Sequence, residues 1–332
     1  MGRALPLVAL LAVLFAPPRA AAGEETLNGY AEYRRGAVFI VDGQRVRAGA
    51  GLRFHGEGQA RGFDTIPLGY EMKVRGVRAA DGAVEAREVE VKPNGVALFE
   101  NDLRASFDQV ERRYRDAGHV YSEGDDGRRI ELGNLEESGP QVERVRAITR
   151  DLCPPYLRSQ DFRVYVVDNK EWNAMAAPNR SIYVFGGLLA DMDDDEVAIV
   201  LGHELVHATH EHSRRAFKKQ ILIALGAAAL ATGEQDIDDT GKRIGAQLGT
   251  LLVASALSNG YGRGQEDQAD RVGLRYAFEG GYDVRKGPKL WKRFAVKYGN
   301  PSKTVNFFFG DHSVAEARAR NLERELALNY RD

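Results

Sequence analysis

From Thr26 to about Val91 hydrophobic and polar residues alternate, and glycines punctuate the alternation. Ala37–Val41 reads as a strand, Asp42-Gly43 as a two-residue turn and Gln44–Arg47 as the returning strand, because Asp-Gly tolerates the positive φ angles of tight hairpins. Tyr70–Val77 alternates in the same way, and Ala80-Asp81-Gly82 turns the chain into Val84–Val91. Short strands with glycine at their corners predict a small barrel or curled sheet over residues 24–95, closed off by Lys92-Pro93-Asn94-Gly95. Beyond it the period lengthens. Leu103, Phe107, Val110 and Tyr114 recur at three and four and predict a helix over Asn101–Asp116. Glu123–Gly139 is a polar, Gly-rich interval, and Val142–Leu152 reads as a second helix. Phe162–Val167 and Ser181–Phe185 read as buried strands, and everything after Gly186 as helix and loop. The fold class is therefore α+β: a small barrel, then a mainly helical domain with a short sheet over residues 96–332.

The first 22 residues stand apart. Arg3 is followed by an apolar run over Leu5–Ala16, then Pro17-Pro18 and the small residues of Ala20-Ala21-Ala22-Gly23. This is the layout of a secretory signal peptide cleaved near Ala22, and about 12 apolar residues fall short of the roughly 20 that span a bilayer. The expected location is outside the cytoplasm, in a periplasm or secreted. Lys and Arg number 46 against 48 Asp and Glu. Losing Arg3 and Arg19 leaves 44 against 48, a net charge near −4. Such a balance gives no reason to expect a nucleic-acid partner. Cys153 is the single cysteine, cannot close an intramolecular disulfide, and reads as a small buried hydrophobe at a helix end. Ile221–Thr232 and Ile244–Leu257 are apolar but too short to span, and their Gly/Ala content suits a pair of closely packed core helices. Association with a membrane surface or an envelope complex stays open.

The chemistry concentrates in Leu201-Gly202-His203-Glu204-Leu205-Val206-His207. Asp193-Asp194-Asp195-Glu196 precedes it with the acids that suit a helix N-terminus. On a helix, His203 and His207 stack on one face and can offer ring nitrogens to a single metal ion. Glu204 falls beside them, where a carboxylate can take a proton from a water whose pKa the ion lowers from 15.7 to about 7. Two histidines do not complete a catalytic zinc site. Downstream, Gly264-Gln265-Glu266-Asp267-Gln268-Ala269-Asp270 places Glu266 and Asp270 four apart on another helix, with Ala269, Val272 and Leu274 giving it a buried side. Glu266 can supply the third ligand, and Asp270 can accept the N–H of a ligating histidine. A solvated acidic helix face would produce the same spacing without the chemistry.

HELVH followed by EDQAD resembles the gluzincin peptidases of the HtpX, BepA and CAAX-prenyl-protease type. NAMAAPNRSIYVFGGLL (Asn173–Leu189) is similar to that family's edge strand and turn, HATHEHSRR (His207–Arg215) to its active-site helix, and DHSVAEAR (Asp311–Arg318) to its late His-Pro-x4-Arg element. Ser313 stands where proline is usual. The resemblance covers about Asn101 to Arg324 and implies a zincin-like fold, one Zn²⁺ per chain on His203, His207 and Glu266, Glu204 as general base, and Asp270 orienting a ligand. It places His312 and Arg318 on the substrate side of the metal. There Arg318 would stabilise an oxyanion, and His312 would do likewise or hold the enzyme latent. It also implies that Asn173, Ala174 and the strand Ser181, Ile182, Tyr183 and Val184 pair with an extended substrate backbone, so that unfolded polypeptides are bound through main-chain hydrogen bonds. The expected function is hydrolysis of unfolded or misassembled envelope proteins. The alternative is a catalytically silent or latent, chaperone-like binder of extended chains, which the intact Glu204 disfavours; a zinc hydrolase of small amides is a third reading. The N-terminal barrel lies outside this resemblance and is loosely similar to the OB-like modules of exported bacterial proteins, read here as a stabilising or partner-binding module.

Overall fold

In the computed structural model of the chain the described residues are 23–93, 108, 111–112, 115–123, 128–154, 157–177, 179–209, 263–298 and 315–330. The signal-peptide segment, both apolar stretches at 221–257, His312 and Ser313 lie outside the described residues.

Strands β1 (Glu24–Arg35), β2 (Val38–Val41), β3 (Gln44–Gly56), β4 (Glu71–Arg78) and β5 (Val84–Lys92) close into a barrel in the order β1-β2-β3-β5-β4. β3 and β5 run parallel; the other neighbours are antiparallel, including β4 back onto β1. The β2–β3 hairpin turns on Asp42 and Gly43, at φ 46° and 75°, the pair of positive values that a tight hairpin requires. Alternation in β4 and β5 sends Met72, Val74, Val84, Ala86, Val89 and Val91 inward against Phe39, Val41, Val46 and Tyr70. The outward positions between them carry opposite charges on neighbouring strands, as in Lys73–Glu90 at 2.9 Å and Arg53–Glu88 at 2.8 Å. The barrel's alternating code is thus apolar inside and charge-matched outside.

The second sheet has six strands: β6 (Arg115–Asp116), β7 (His119–Glu123), β8 (Arg129–Glu136), β9 (Arg163–Val167), β10 (Ala174–Ala176) and β11 (Ser181–Phe185). Their order is β10-β11-β9-β8-β7-β6. Three sequence expectations change here. The helix predicted over Asn101–Asp116 does not reach its end: Asp108, Glu111 and Arg112 are helical, but Arg115 and Asp116 are already strand. The polar interval Glu123–Gly139 contains β8, whose side chains are mostly half-buried or exposed, and an irregularity in the β7–β8 register at Val120/Tyr121 interrupts the alternation that would announce such a strand. Third, Ser181–Phe185 is not an edge. It is paired on both sides, antiparallel to β10 and parallel to β9, so among the described residues the edge falls to the three-residue β10, too short to show a period of its own.

Helices α1 (Pro140–Leu152), α2 (Gly186–Asp191), α3 (Asp194–Thr209), α4 (Arg263–Glu279), α5 (Gly287–Tyr298) and α6 (Ala315–Asn329) complete the described chain. One core joins Val142, Val145 and Ile148 of α1, Val164 and Ile182 of the sheet, Val197, Leu201 and Leu205 of α3, and Leu274 and Leu290 beyond. Cys153 ends α1, where burial pushes its thiol pKa up to about 11 and keeps it inert. Among the described residues no helix is long and apolar enough to cross a membrane.

Candidate metal centre

α3 is the centre of the domain. Asp193 caps it, accepting the backbone N–H of Glu196 at 3.1 Å. Its residues from Val197 to Leu201, with Leu205 and Val206, are all buried, so it has no wet face in this stretch. His203, Glu204 and His207 are therefore buried polar groups, at 2%, 8% and 2% exposure, that need partners.

Those partners come from α4, and two glycines let it approach. A Cβ built on Gly273 of α4 would lie 2.5 Å from the backbone nitrogen of His203 and 2.6 Å from the carbonyl carbon of Gly202. A Cβ on Gly202 would in turn run into the carbonyl oxygen of Gly273. The two helices thus touch backbone to backbone one residue from the first histidine, and only hydrogen fits between them. Nothing in the HELVH or EDQAD motifs announces this; two helix-interior glycines flanked by apolar residues were the available signal.

The close crossing brings four side chains together. His203 and His207 face each other through their Nε2 atoms at 3.1 Å. Glu266, wholly buried, lies 3.5 Å from His203 Nε2 through Oε2 and 3.4 Å from His207 Nε2 through Oε1. All three donor atoms fall within 4.8 Å of one another. Two imidazole nitrogens pointed at each other beside a buried carboxylate form a donor set that fits a divalent cation of the zinc type. On the other side of the ring, His203 Nδ1 is 2.9 Å from Asp270 Oδ1. Burial alone would raise the Asp270 pKa, but the Arg318 charge and the His203 hydrogen bond outweigh it and hold this carboxyl well below the usual carboxylate range. An ionised Asp270 takes the Nδ1–H and leaves the His203 Nε2 lone pair turned towards His207 and Glu266.

Glu204 is not part of this trio. Its Oε1 is 4.0 Å from His203 Nε2, and its Oε2 accepts the backbone N–H of Ala176 at 3.3 Å. That contact places the carboxylate on β10. Phe185 donates to the Asn173 carbonyl and Ala177 to that of Ser181, so the alternate residues Ala174 and Ala176 turn their backbone groups away from β11, the Ala176 N–H to Glu204. The Asn173 Oδ1 is buried and has no hydrogen-bond partner among the described residues. Ser181, Ile182, Tyr183 and Val184 are instead interior, with their backbone committed to β9 and β10.

Arg318 is also buried, at 3% exposure. Its Nε and Nη2 donate to Asp270 at 3.0 and 2.6 Å, its Nη1 is 4.0 Å from Glu266, and its guanidinium lies 3.5 Å from the centre of the Trp291 ring. The guanidinium is thus engaged with Asp270, Trp291 and the His203 ring, whose Nδ1 lies 2.8 Å from its Nη2. Trp291 carried no signal in the sequence.

Two histidines one helical turn apart, a glutamate between them and a carboxylate from a later helix are a donor set of the metallopeptidase kind. The family model for peptidase family M48 matches residues 140–326, and the chain belongs to that family, among the metalloproteases of the HtpX and BepA type. It is 29% identical over 211 residues to the mitochondrial metalloendopeptidase OMA1 of Bos taurus, covering 60% of this chain and 40% of the relative. It is 28% identical over 176 residues to the beta-barrel assembly-enhancing protease of Yersinia pestis, covering 50% of this chain and 35% of that one. The metalloprotease LoiP of Escherichia coli is 28% identical over 174 residues, with 51% and 64% covered. The matched stretch therefore spans well under half of the first two relatives and under two thirds of the third. By family the chain is a metalloprotease in class.

Proposed function

We propose that the chain is a zinc endopeptidase that cuts unfolded or misassembled polypeptides in the cell envelope, with Glu204 as its general base. The single observation that carries this is the convergence of His203, His207 and Glu266, donor atoms within 4.8 Å, beside a carboxylate held on a free strand edge. A zinc ion on those three residues would supply a Lewis acid and lower the pKa of a bound water to about 7. Glu204 then takes the proton at its carboxylate and delivers it to the leaving amine. The Ala176 N–H, at 3.3 Å from Oε2, fixes the direction in which the other oxygen points. An extended substrate adds to the sheet along the backbone of Ala174 and the Ala176 carbonyl of β10, and the Asn173 Oδ1, without a partner among the described residues, offers an acceptor at the start of that edge. Main-chain pairing of this kind selects for extended backbone rather than for side chains, which is why the substrate class is unfolded protein. In this reading Ser181–Val184, interior in the sheet, support β10 rather than touch substrate.

Arg318 takes a positioning role in this reading. Its contacts with Asp270 lock that carboxylate against His203, in place of the oxyanion role the resemblance implies. The role of His312 rests on the resemblance alone. The OB-like barrel, with β3 and β5 parallel, is read as a separate domain, and the location as the envelope after removal of residues 1–22. Asparagine, serine or alanine at position 204 would suit a silent binder; glutamate does not.

Digestion of unfolded casein by the purified chain tests the proposal. Cleavage should stop when a chelator strips the metal and return on addition of zinc, with native, compact proteins left intact throughout. Cleavage that persists in metal-free protein would contradict it.

A further inference from the structure

The barrel touches the two helices that complete the metal centre, and it does so through buried polar groups. Glu32 of β1, 1% exposed, accepts the Nε2–H of Gln268 at 2.5 Å and the Nη2–H of Arg271 at 3.0 and 3.2 Å. Asp42, in the β2–β3 turn, accepts from the same Gln268 nitrogen at 2.7 Å and from the backbone N–H of Tyr30 at 3.1 Å. Gln268 and Arg271 belong to α4, interleaved with Glu266 and Asp270 but pointing off another face, as a 3.6-residue turn dictates. α6, which carries Arg318, is tied to the same strand: Asn329 Nδ2 donates to Tyr33 Oη at 3.1 Å. The two helices are joined in between by Asn321 Nδ2 donating to Asp267 at 3.0 Å.

Burial alone would have been served by apolar side chains here. A buried carboxylate costs desolvation free energy and is tolerated only with close partners, so it adds little to stability on balance. What it does supply is register. Slipping α4 by one residue turns it by about 100° and breaks all of these contacts at once, along with the placement of Glu266.

We propose that the barrel is a positioning element for the metal centre, with Glu32 and Asp42 holding Gln268 and Arg271 so that α4 presents Glu266 and Asp270 in the geometry described. The proposal rests on Glu266 being a metal ligand. Glu32 touches neither metal nor substrate; it acts through α4.

The test uses the full chain as Glu32→Ala, the volume-conserving Glu32→Gln, and two references, Val46→Ala in the barrel core and Glu266→Gln at the metal. Zinc affinity is read by competition with a chromophoric chelator, and kcat and KM on unfolded casein. Glu32→Ala should weaken zinc binding by roughly 10-fold or more, the size of a lost supporting contact. It should also lower kcat with little change in KM. Val46→Ala, which loosens the barrel without touching α4, should leave zinc affinity unchanged. Should Glu32→Ala fail to fold, Glu32→Gln, which strands Arg271 without its charge partner, gives the same reading. Zinc affinity in the Glu32 variants equal to that of Val46→Ala, while Glu266→Gln binds zinc poorly, would overturn the barrel's role alone. An unaffected Glu266→Gln would overturn the ligand reading and the joint with it.

Discussion

Replacing Glu204 with glutamine is expected to lower the rate of unfolded-protein cleavage by roughly 10²–10⁴-fold, the usual contribution of a positioned general base, while leaving the metal content unchanged. The separation follows from the geometry. Glu204 stands outside the three-residue donor cluster, 4.0 Å from the nearest His203 nitrogen, so its charge is not required to hold an ion. Glutamine has the same shape and can still accept the Ala176 N–H, so the strand edge and the α3 backbone keep their places. Only the capacity to take a proton is removed. Parallel metal analysis and turnover measurements check this. Undiminished cleavage would remove Glu204 from the mechanism, and metal loss would make it a ligand instead.

The second large effect is expected from a methyl group. Gly273→Ala places a Cβ against the backbone of Gly202 and His203, where α3 is buried on every side from Val197 to Ala208. Overpacking of a well-filled core costs about 1–3 kcal/mol, and the atoms opposed here are backbone, which places the cost at the upper end. Relief comes only by moving α4 outward, and a displacement near 1 Å at a reacting centre costs about 10²-fold in rate. Gly264→Ala is the matched control: it lies at the start of the same helix with open space around its Cα, and alanine there improves helix propensity by about 1 kcal/mol. Thermal unfolding and casein turnover of the pair give the comparison. If the two variants behave alike, the glycine contact does not set the helix spacing.

Much of this molecule can be read along the chain, because its signals are periodic or chemical. Barrel strands β2 and β4 alternate cleanly, and Asp42-Gly43 declares its hairpin. The candidate donor trio is legible because i, i+4 spacing on a helix is a geometric statement in itself, and Glu266 is found by asking what would complete two histidines. The remainder is hidden for physical reasons. β8 is half-exposed and Gly-interrupted, so its alternation is weak; β10 has three residues and can show no period; and β11, written as a continuous apolar run, is interior because such runs are buried on both faces. The glycine pair, the Trp291–Arg318 stack and the Glu32–Gln268 contact join residues far apart in sequence, Glu32 and Gln268 by 236 positions, and no local pattern encodes such a meeting.

X-ray absorption at the zinc edge, on protein purified without added metal, asks the central question directly. The geometry predicts one zinc per chain, bound by two imidazole nitrogens and a carboxylate oxygen with a further light-atom ligand, and loss of the imidazole signature in His203→Ala. Metal-free active protein, or a zinc whose surroundings are indifferent to His203, would contradict it.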